Sequence, residues 1–359
     1  KMKIIKENTN EFVTDNFSIY RGDCVDVIQQ IPDNSVDFTI YSPPFANLYI
    51  YSDDIADMGN CADDNEFLEQ YKFLIKEHKR ITRPGRLVAV HCKNLVDYMN
   101  SSKDGQSGQR DFRGEIIRLF KDEGFSYHSE VTIWKDPVIE MQKTKCQGLL
   151  HKTLVTDSSY TRNGMAEYLI VFRKWPKTEL DNSLVQNIDN KGKVNWATQD
   201  EYVDNGDEKK KSIDKWQQVA SPIYNTEATK EDLIELISKL SIENEQLAKY
   251  APFEVSQNKN FIWRDIRQTN VLNTKLAKDA KDEKHICPLQ LDVIEKAIEL
   301  WTNPNDIVFT PFMGIGSEVY QALKMGRRAV GIELKETYFK EAKKNLLAVE
   351  DLKKQTSLF

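Results

Sequence analysis

Ser42, Pro43, Pro44 and Phe45 stand together directly after the apolar run Val36-Asp37-Phe38-Thr39-Ile40-Tyr41. Proline has no N–H with which to continue a strand ladder, and it restrains the residue before it to extended geometry. The run must therefore stop in a stiff corner that leaves a carbonyl unpaired. The Ser42 hydroxyl and such a carbonyl can both accept hydrogen bonds from an amino group, and Phe45 offers a face on which an extruded base can stack. Without chemistry, the same residues are a turn that ends a strand.

A second corner lies near the other end of the chain. The run Asp306 to Thr310 leads into Pro311-Phe312-Met313-Gly314-Ile315-Gly316-Ser317. The glycines do not make a dinucleotide fingerprint, because Val319 occupies the third glycine's place, and no Gly-Lys-Ser/Thr follows to make a P-loop. What they supply is a tight strand-to-helix turn where a ligand can approach backbone N–H groups; a packing turn is the plainer alternative. Glu333 ends the next run, Arg328 to Ile332, where a carboxylate can accept hydrogen bonds from both hydroxyls of a ribose. Gly22 and Asp23 follow a fourth run, Phe17 to Tyr20.

These corners need a scaffold. The four runs are dense in apolar or β-branched residues, as strands covered on both faces should be. Helical spacing alternates with them over Asp64 to Ile81, Phe112 to Asp122, Leu289 to Trp301, Ser317 to Met325 and Tyr338 to Val349. Further strands are expected at Arg86 to His91, Tyr127 to Trp134 and Tyr168 to Arg173. Alternation of this kind predicts an α/β fold with a mostly parallel sheet wound by helices on both sides. Ligands of such sheets bind beyond the carboxyl ends of the strands, where all four corners fall. Residues 1–175 and 283–359 are thus expected to form the two halves of one domain. Residues 176–282, rich in Asp, Asn and Lys at their start and helical near Lys230 to Tyr250, read as an inserted, partly flexible recognition region.

Composition narrows the class. At 359 residues with 40% hydrophobic content, the chain can bury a sizeable core. It has no apolar run of membrane-spanning length and no signal-peptide pattern at Lys1 to Lys6, so a cytoplasmic protein with no membrane contact is expected. Its five cysteines contain no CxxC pair, which favours buried thiols over disulfides or a structural metal site. A net charge of −6 does not advertise a nucleic-acid binder, but basic clusters at Lys79 to Arg86 and at Lys143, Lys145, His151 and Lys152 could touch phosphates locally.

With the proline corner first and the glycine corner last, the chain resembles the β-type amino-methyltransferases of DNA. The matching residues are Gly22-Asp23, Ser42 to Phe45, His285-Ile286-Cys287-Pro288-Leu289-Gln290, Pro311 to Ser317 and Gly331-Ile332-Glu333. Ser42 to Asn60, Ile133 to Lys152 and Trp263 to Phe312 look like methylases carried by phages and mobile elements. The likeness spans most of the chain except the stretch after Pro176.

The resemblance implies a Rossmann-like methyltransferase fold, S-adenosyl-L-methionine as cofactor and DNA as partner. A homodimer and a restriction or mobile-element partner stay open. By the same resemblance, Ser42, Pro43, Pro44 and Phe45 hold the target base, and Pro311, Phe312, Gly314, Gly316 and Ser317 cradle the cofactor's methionine part. Glu333 would take its ribose, Asp23 would lie near its adenine, and Pro288, Leu289 and Gln290 would close over it. Thr310 departs from the family, which often has an acid there.

Methylation of cytosine C5 needs a thiolate, and Cys146 lacks the proline–cysteine turn for it. An amine target needs none. Serine at the first corner position favours cytosine N4, with adenine N6 as the alternative. Readings from other classes are a non-catalytic DNA-binding relic of the fold, and an enzyme acting on RNA or a protein amide. The region after Pro176 is large enough to favour a DNA site. Trp263 to Gln268 could reach the cleft or serve interdomain packing.

Overall fold

The strand Val36–Tyr41 is buried along its whole length, and its side chains alternate between two covered faces. Phe38 meets the Trp301 ring at 5.9 Å on one face, while Tyr41 stacks on His78 at 5.3 Å on the other. The computed structural model describes residues 3–44, 58, 61, 64–97, 105, 108–136, 155–157, 165–185, 261–272 and 289–356. All of them belong to one compact unit made of 1–186 and 260–359.

In chain order the strands are β1 (Ile4–Glu7), β2 (Glu11–Thr14), β3 (Phe17–Arg21), β4 (Val36–Tyr41), β5 (Thr82–Cys92), β6 (Leu95–Asp97), β7 (Gly108–Arg110), β8 (Ser126–Ile133), β9 (Glu167–Arg173), β10 (Ile262–Trp263), β11 (Ile307–Thr310) and β12 (Arg328–Glu333). Among the described residues the α-helices are α1 (Cys24–Ile28), α2 (Asp64–Ile81), α3 (Phe112–Asp122), α4 (Leu291–Trp301), α5 (Ser317–Lys324) and α6 (Glu336–Thr356). Among the described residues ten strands form one sheet in the order β1-β2-β3-β12-β11-β4-β5-β9-β8-β10, and β6 pairs with β7 separately. The central run β3-β12-β11-β4-β5 is parallel throughout. Antiparallel partners flank it, β2 on one side and β9 on the other. Helices α1, α2 and α3 cover the Tyr41 face, and α4 with α5 and α6 covers the Phe38 face. This is the doubly wound, Rossmann-like sheet that the alternation predicts.

The two C-terminal strands β11 and β12 lie between β3 and β4. A buried ionic cluster at the amino ends of the strands fastens them there. The Asp37 carboxylate accepts the Ile307 N–H at 2.8 Å and an Arg83 N–H at 2.7 Å, and Arg86 pairs with Asp306 at 3.1 Å. All four basic residues expected as a phosphate-contacting cluster have partners within the protein. Arg80 pairs with Asp33 and Glu77, Lys79 donates to the Gly124 carbonyl, and Arg83 and Arg86 hold Asp37 and Asp306. They stand at the opposite end of β5 from the strand ends that carry the corners. The second cluster, at 143–152, lies outside the described residues.

Among the described residues no helix is long and apolar enough to cross a membrane. Cys24, Cys61 and Cys92 are buried, as expected of structural thiols; Cys146 and Cys287 lie outside the described residues. Trp263 is buried, and β10 adds to the sheet beside β8.

Candidate active site

Strand order places the corners side by side. Asp23 follows β3, Glu333 ends β12, the glycine turn follows β11 and Ser42 follows β4, on four successive strands of the sheet. At a spacing of about 4.8 Å per strand the set spans only about 14 Å.

Ser42, Pro43 and Pro44 are described; Phe45 lies outside the described residues. Pro43 and Pro44 are buried, and Ser42 is half-buried. Beneath them is an aromatic floor. The Tyr41 hydroxyl shares a 2.6 Å hydrogen bond with that of Tyr71, and the Tyr41 ring meets the Phe312 ring at 5.6 Å. Burial pushes both phenols well above their usual range. His78 stacks under Tyr41 and meets the edge of Phe309. Burial lowers its pKa to about 3, so the ring is neutral. Among the described residues neither of its nitrogens has a hydrogen-bond partner.

The glycine turn is held on both sides. The Met313 N–H donates to the Ile332 carbonyl at 2.8 Å, and the Gly314 N–H donates to the Glu333 carboxylate at 2.7 Å. Gly314 and Gly316 have φ of 54° and 94°, left-handed values that side chains other than glycine's adopt at a cost. Among the described residues nothing lies within 4 Å of where a Gly314 Cβ would be. A ligand can therefore come against that backbone. The hydroxyls of Thr310 and Ser317 are buried and have no hydrogen-bond partner among the described residues.

Glu333 also accepts the Lys335 N–H at 2.9 Å. The two carboxylate oxygens thus receive the Gly314 and Lys335 N–H groups, and a carboxylate oxygen can accept more than one hydrogen bond. Its strand partner is the Asp23 corner, since the Gly22 N–H donates to the Glu333 carbonyl at 3.0 Å. Asp23 caps α1 by accepting the Val25 N–H at 2.8 Å. Burial, then the nearby Asp23 and Glu333 charges, raise the Cys24 thiol well above its usual range. Behind the turn, burial and the Glu333 charge raise Glu318 to about 8, with its own backbone N–H opposing.

Pro288 lies outside the described residues. Leu289 is buried, and Gln290 stands at the N-cap position of α4 without a side-chain capping bond. The side chain of Gln290 donates to Gln268 at 3.3 Å, and Arg267 and Asn270 bind Asp292 at 2.6 Å each. The segment Trp263 to Gln268 thus fastens to the start of α4. Three residues at this edge carried no sequence assignment: His91, Glu167 and Lys135, which form a hydrogen-bonded line leading to Ser42. One signal was available, since His91 ends the apolar run Leu87 to Val90 as Ser42 ends its own. Among the described residues there is no group of three or more His, Cys, Asp or Glu that could hold a metal ion.

Comparison with known proteins gives the family and the fold. A family model described as DNA methylase matches residues 36–344. The type II methyltransferase M1.MboII of Moraxella bovis is 40% identical over 58 residues, 16% of this chain and 22% of its own length. The chain matches about a quarter or less of the length of its curated relatives. Among solved structures, the cytosine-N4-specific PvuII DNA methyltransferase superposes with a TM-score of 0.53 at 14% identity, covering 97% of this chain and 94% of that one. A DNA modification methylase of Thermus thermophilus, complexed with S-adenosyl-L-methionine, gives 0.51 at 16% identity, covering 93% and 95%. At such identity the likeness is one of fold.

Proposed function

Because the chain belongs to the N6/N4 DNA methylase family, we propose that it methylates an exocyclic amine of a DNA base with S-adenosyl-L-methionine as donor. The observation that carries this reading is the ring contact between Tyr41 and Phe312. It joins the residue before the proline corner to the glycine turn across β4 and β11. Amine acceptors and a ligand-accessible backbone turn then face one another at a single sheet edge.

The residues present fit the cofactor. Open space fronts Gly314, and the Thr310 and Ser317 hydroxyls and the Gln290 side-chain oxygen are buried without partners among the described residues. Gly314, Gly316 and Ser317, with Pro311 and Phe312, would hold its methionine part, Glu333 its ribose, and Asp23 would lie near its adenine. Pro288, Leu289 and Gln290 would close the other side. When bound, it supplies an electrophilic methyl group.

The protein's own part is placement. Ser42 and a carbonyl of the Pro43-Pro44 turn accept the amine's hydrogens and localise its lone pair, and Phe45 stacks on the extruded base. Alignment of this sort replaces a bimolecular encounter and supplies most of the acceleration. Serine at the first corner position favours cytosine N4. The cytosine-N4 specificity of the PvuII enzyme supports that choice by analogy of fold.

The test is incubation of DNA of varied sequence with labelled cofactor, then mass spectrometry of the nucleosides. N4-methylcytosine is expected; N6-methyladenine would move the specificity, and neither product would overturn the function. Ser42→Ala and Phe45→Ala should each slow transfer by about tenfold or more, and undiminished transfer would count against the assigned roles.

A further inference from the structure

Ser42 heads a buried line of side chains that runs along the carboxyl edge of β5 and into β9. Its hydroxyl lies 3.2 Å from the His91 carbonyl oxygen and 3.4 Å from His91 Nδ1. On the far side of the ring, His91 Nε2 is 3.1 Å from Glu167 Oε2, and Lys135 Nζ is 2.8 Å from the same oxygen. Lys135 also donates to Gln268, which accepts from Gln290. Strand register fixes the arrangement: Tyr41 pairs with Val90, His91 with Leu169 and Ile133 with Glu167, so three inter-strand ladders bring the groups to one place.

An ion pair serving stability alone would need only Lys135 and Glu167. Here an imidazole stands between that carboxylate and a hydroxyl at the proposed reaction site. Burial works against ionisation of Glu167, but His91 and Lys135 outweigh it and hold the carboxyl down to about 2. An ionised Glu167 can only accept, so whenever the His91 ring carries a single proton that proton sits on Nε2, facing the carboxylate. That fixes the tautomer and turns the Nδ1 lone pair toward Ser42. The single Ser42 proton then points to the His91 carbonyl or to Nδ1, and either choice leaves oxygen lone pairs for an incoming amine.

We infer that His91 and Glu167 are positioning residues that set the Ser42 hydroxyl and drain the proton released by methyl transfer. The inference rests on the function proposed above. As the nitrogen–methyl bond forms and the donor's sulfur–methyl bond breaks, the amine becomes positively charged and must lose one proton. That proton passes to Ser42 Oγ while the Ser42 proton passes to His91 Nδ1. The resulting imidazolium is held against Glu167 and later gives its proton to water. No other reactant is required. The 3.4 Å gap between Ser42 and His91 is of a kind that tightens when substrate is bound.

Two measurements test this. In the ligand-free wild-type protein, 15N NMR of His91 should show a protonated Nε2 and an unprotonated Nδ1, and Glu167→Gln should abolish that preference. A protonated Nδ1 in the wild type would overturn the inference and requires no variant to fold. In single-turnover methylation, His91→Ala should slow transfer by about 100-fold and His91→Asn, which restores an acceptor near Nδ1, should recover part of it. Cofactor and DNA affinity should stay within about twofold, whereas damage to the fold would move them too. Normal wild-type transfer with undiminished His91→Ala transfer would sink the inference alone. A wild-type protein that methylates neither base would sink the function and the inference together.

Discussion

Removing the Asp37 carboxylate measures how firmly the late strands are fastened into the early ones. The group is 2% exposed and pairs with Arg83 at 2.7 Å. It also accepts the Ile307 N–H at 2.8 Å and lies 3.5 Å from Arg86. Asp37→Ala orphans that N–H, at about 1–3 kcal/mol for a buried donor and near the lower end for half-buried Ile307. Breaking a buried ion pair outright costs about 3–5 kcal/mol. The cost here is smaller, because Arg86 keeps Asp306 at 3.1 Å and the Arg83 side chain is 41% exposed, where water screens it. A loss of about 3–4 kcal/mol follows, a large share of the roughly 5–15 kcal/mol that holds a domain folded. Asp37→Asn keeps an oxygen for Ile307 and should lose roughly half as much. Urea unfolding followed by circular dichroism should show a lower midpoint at unchanged slope. An Asp37→Ala protein within about 1 kcal/mol of wild type would refute the fastening.

Glu333→Gln removes the charge that the Gly314 and Lys335 N–H groups meet, and it replaces one oxygen of the proposed ribose acceptor by a donor. Charge-assisted hydrogen bonds of about 1.5–3 kcal/mol imply a cofactor Kd raised about 10- to 100-fold by calorimetry, and an unchanged Kd would remove Glu333 from the site. Glu318, raised to about 8 by burial, keeps its proton in the folded protein at pH values where the unfolded chain has lost it. Stability should therefore fall as pH rises from the ordinary carboxyl range through about 8, with a slope up to about 1.4 kcal/mol per pH unit. Glu318→Gln should flatten that slope, and an identical slope in denaturation midpoints would show that Glu318 is not its source.

The central strands were legible because burial on both faces leaves uninterrupted apolar runs, as in Val36–Tyr41 and Ile307–Thr310. The corners were legible because proline and glycine act on the backbone locally. By contrast, β1 is exposed at every position and carries no burial pattern to read. The five-residue α1 and two-residue β10 are too short for any period. The line behind Ser42 escaped for a different reason. His91 lies 49 positions from Ser42 and 76 from Glu167, and only strand pairing makes them neighbours. The Lys79 to Arg86 cluster shows the reverse: adjacent charges suggested a phosphate surface, while Asp33, Asp37 and Asp306 claim them from distant parts of the chain.

The insertion of β11 and β12 between β3 and β4 has a consequence for synthesis. A ribosome delivers β3 and β4 long before the strands that must separate them, so the nascent chain carries two open hydrogen-bonding edges while the rest is translated. Those edges can pair with each other or with neighbouring chains. Completion of the sheet must wait for β11 and β12 to enter its middle, so folding is governed by long-range closure.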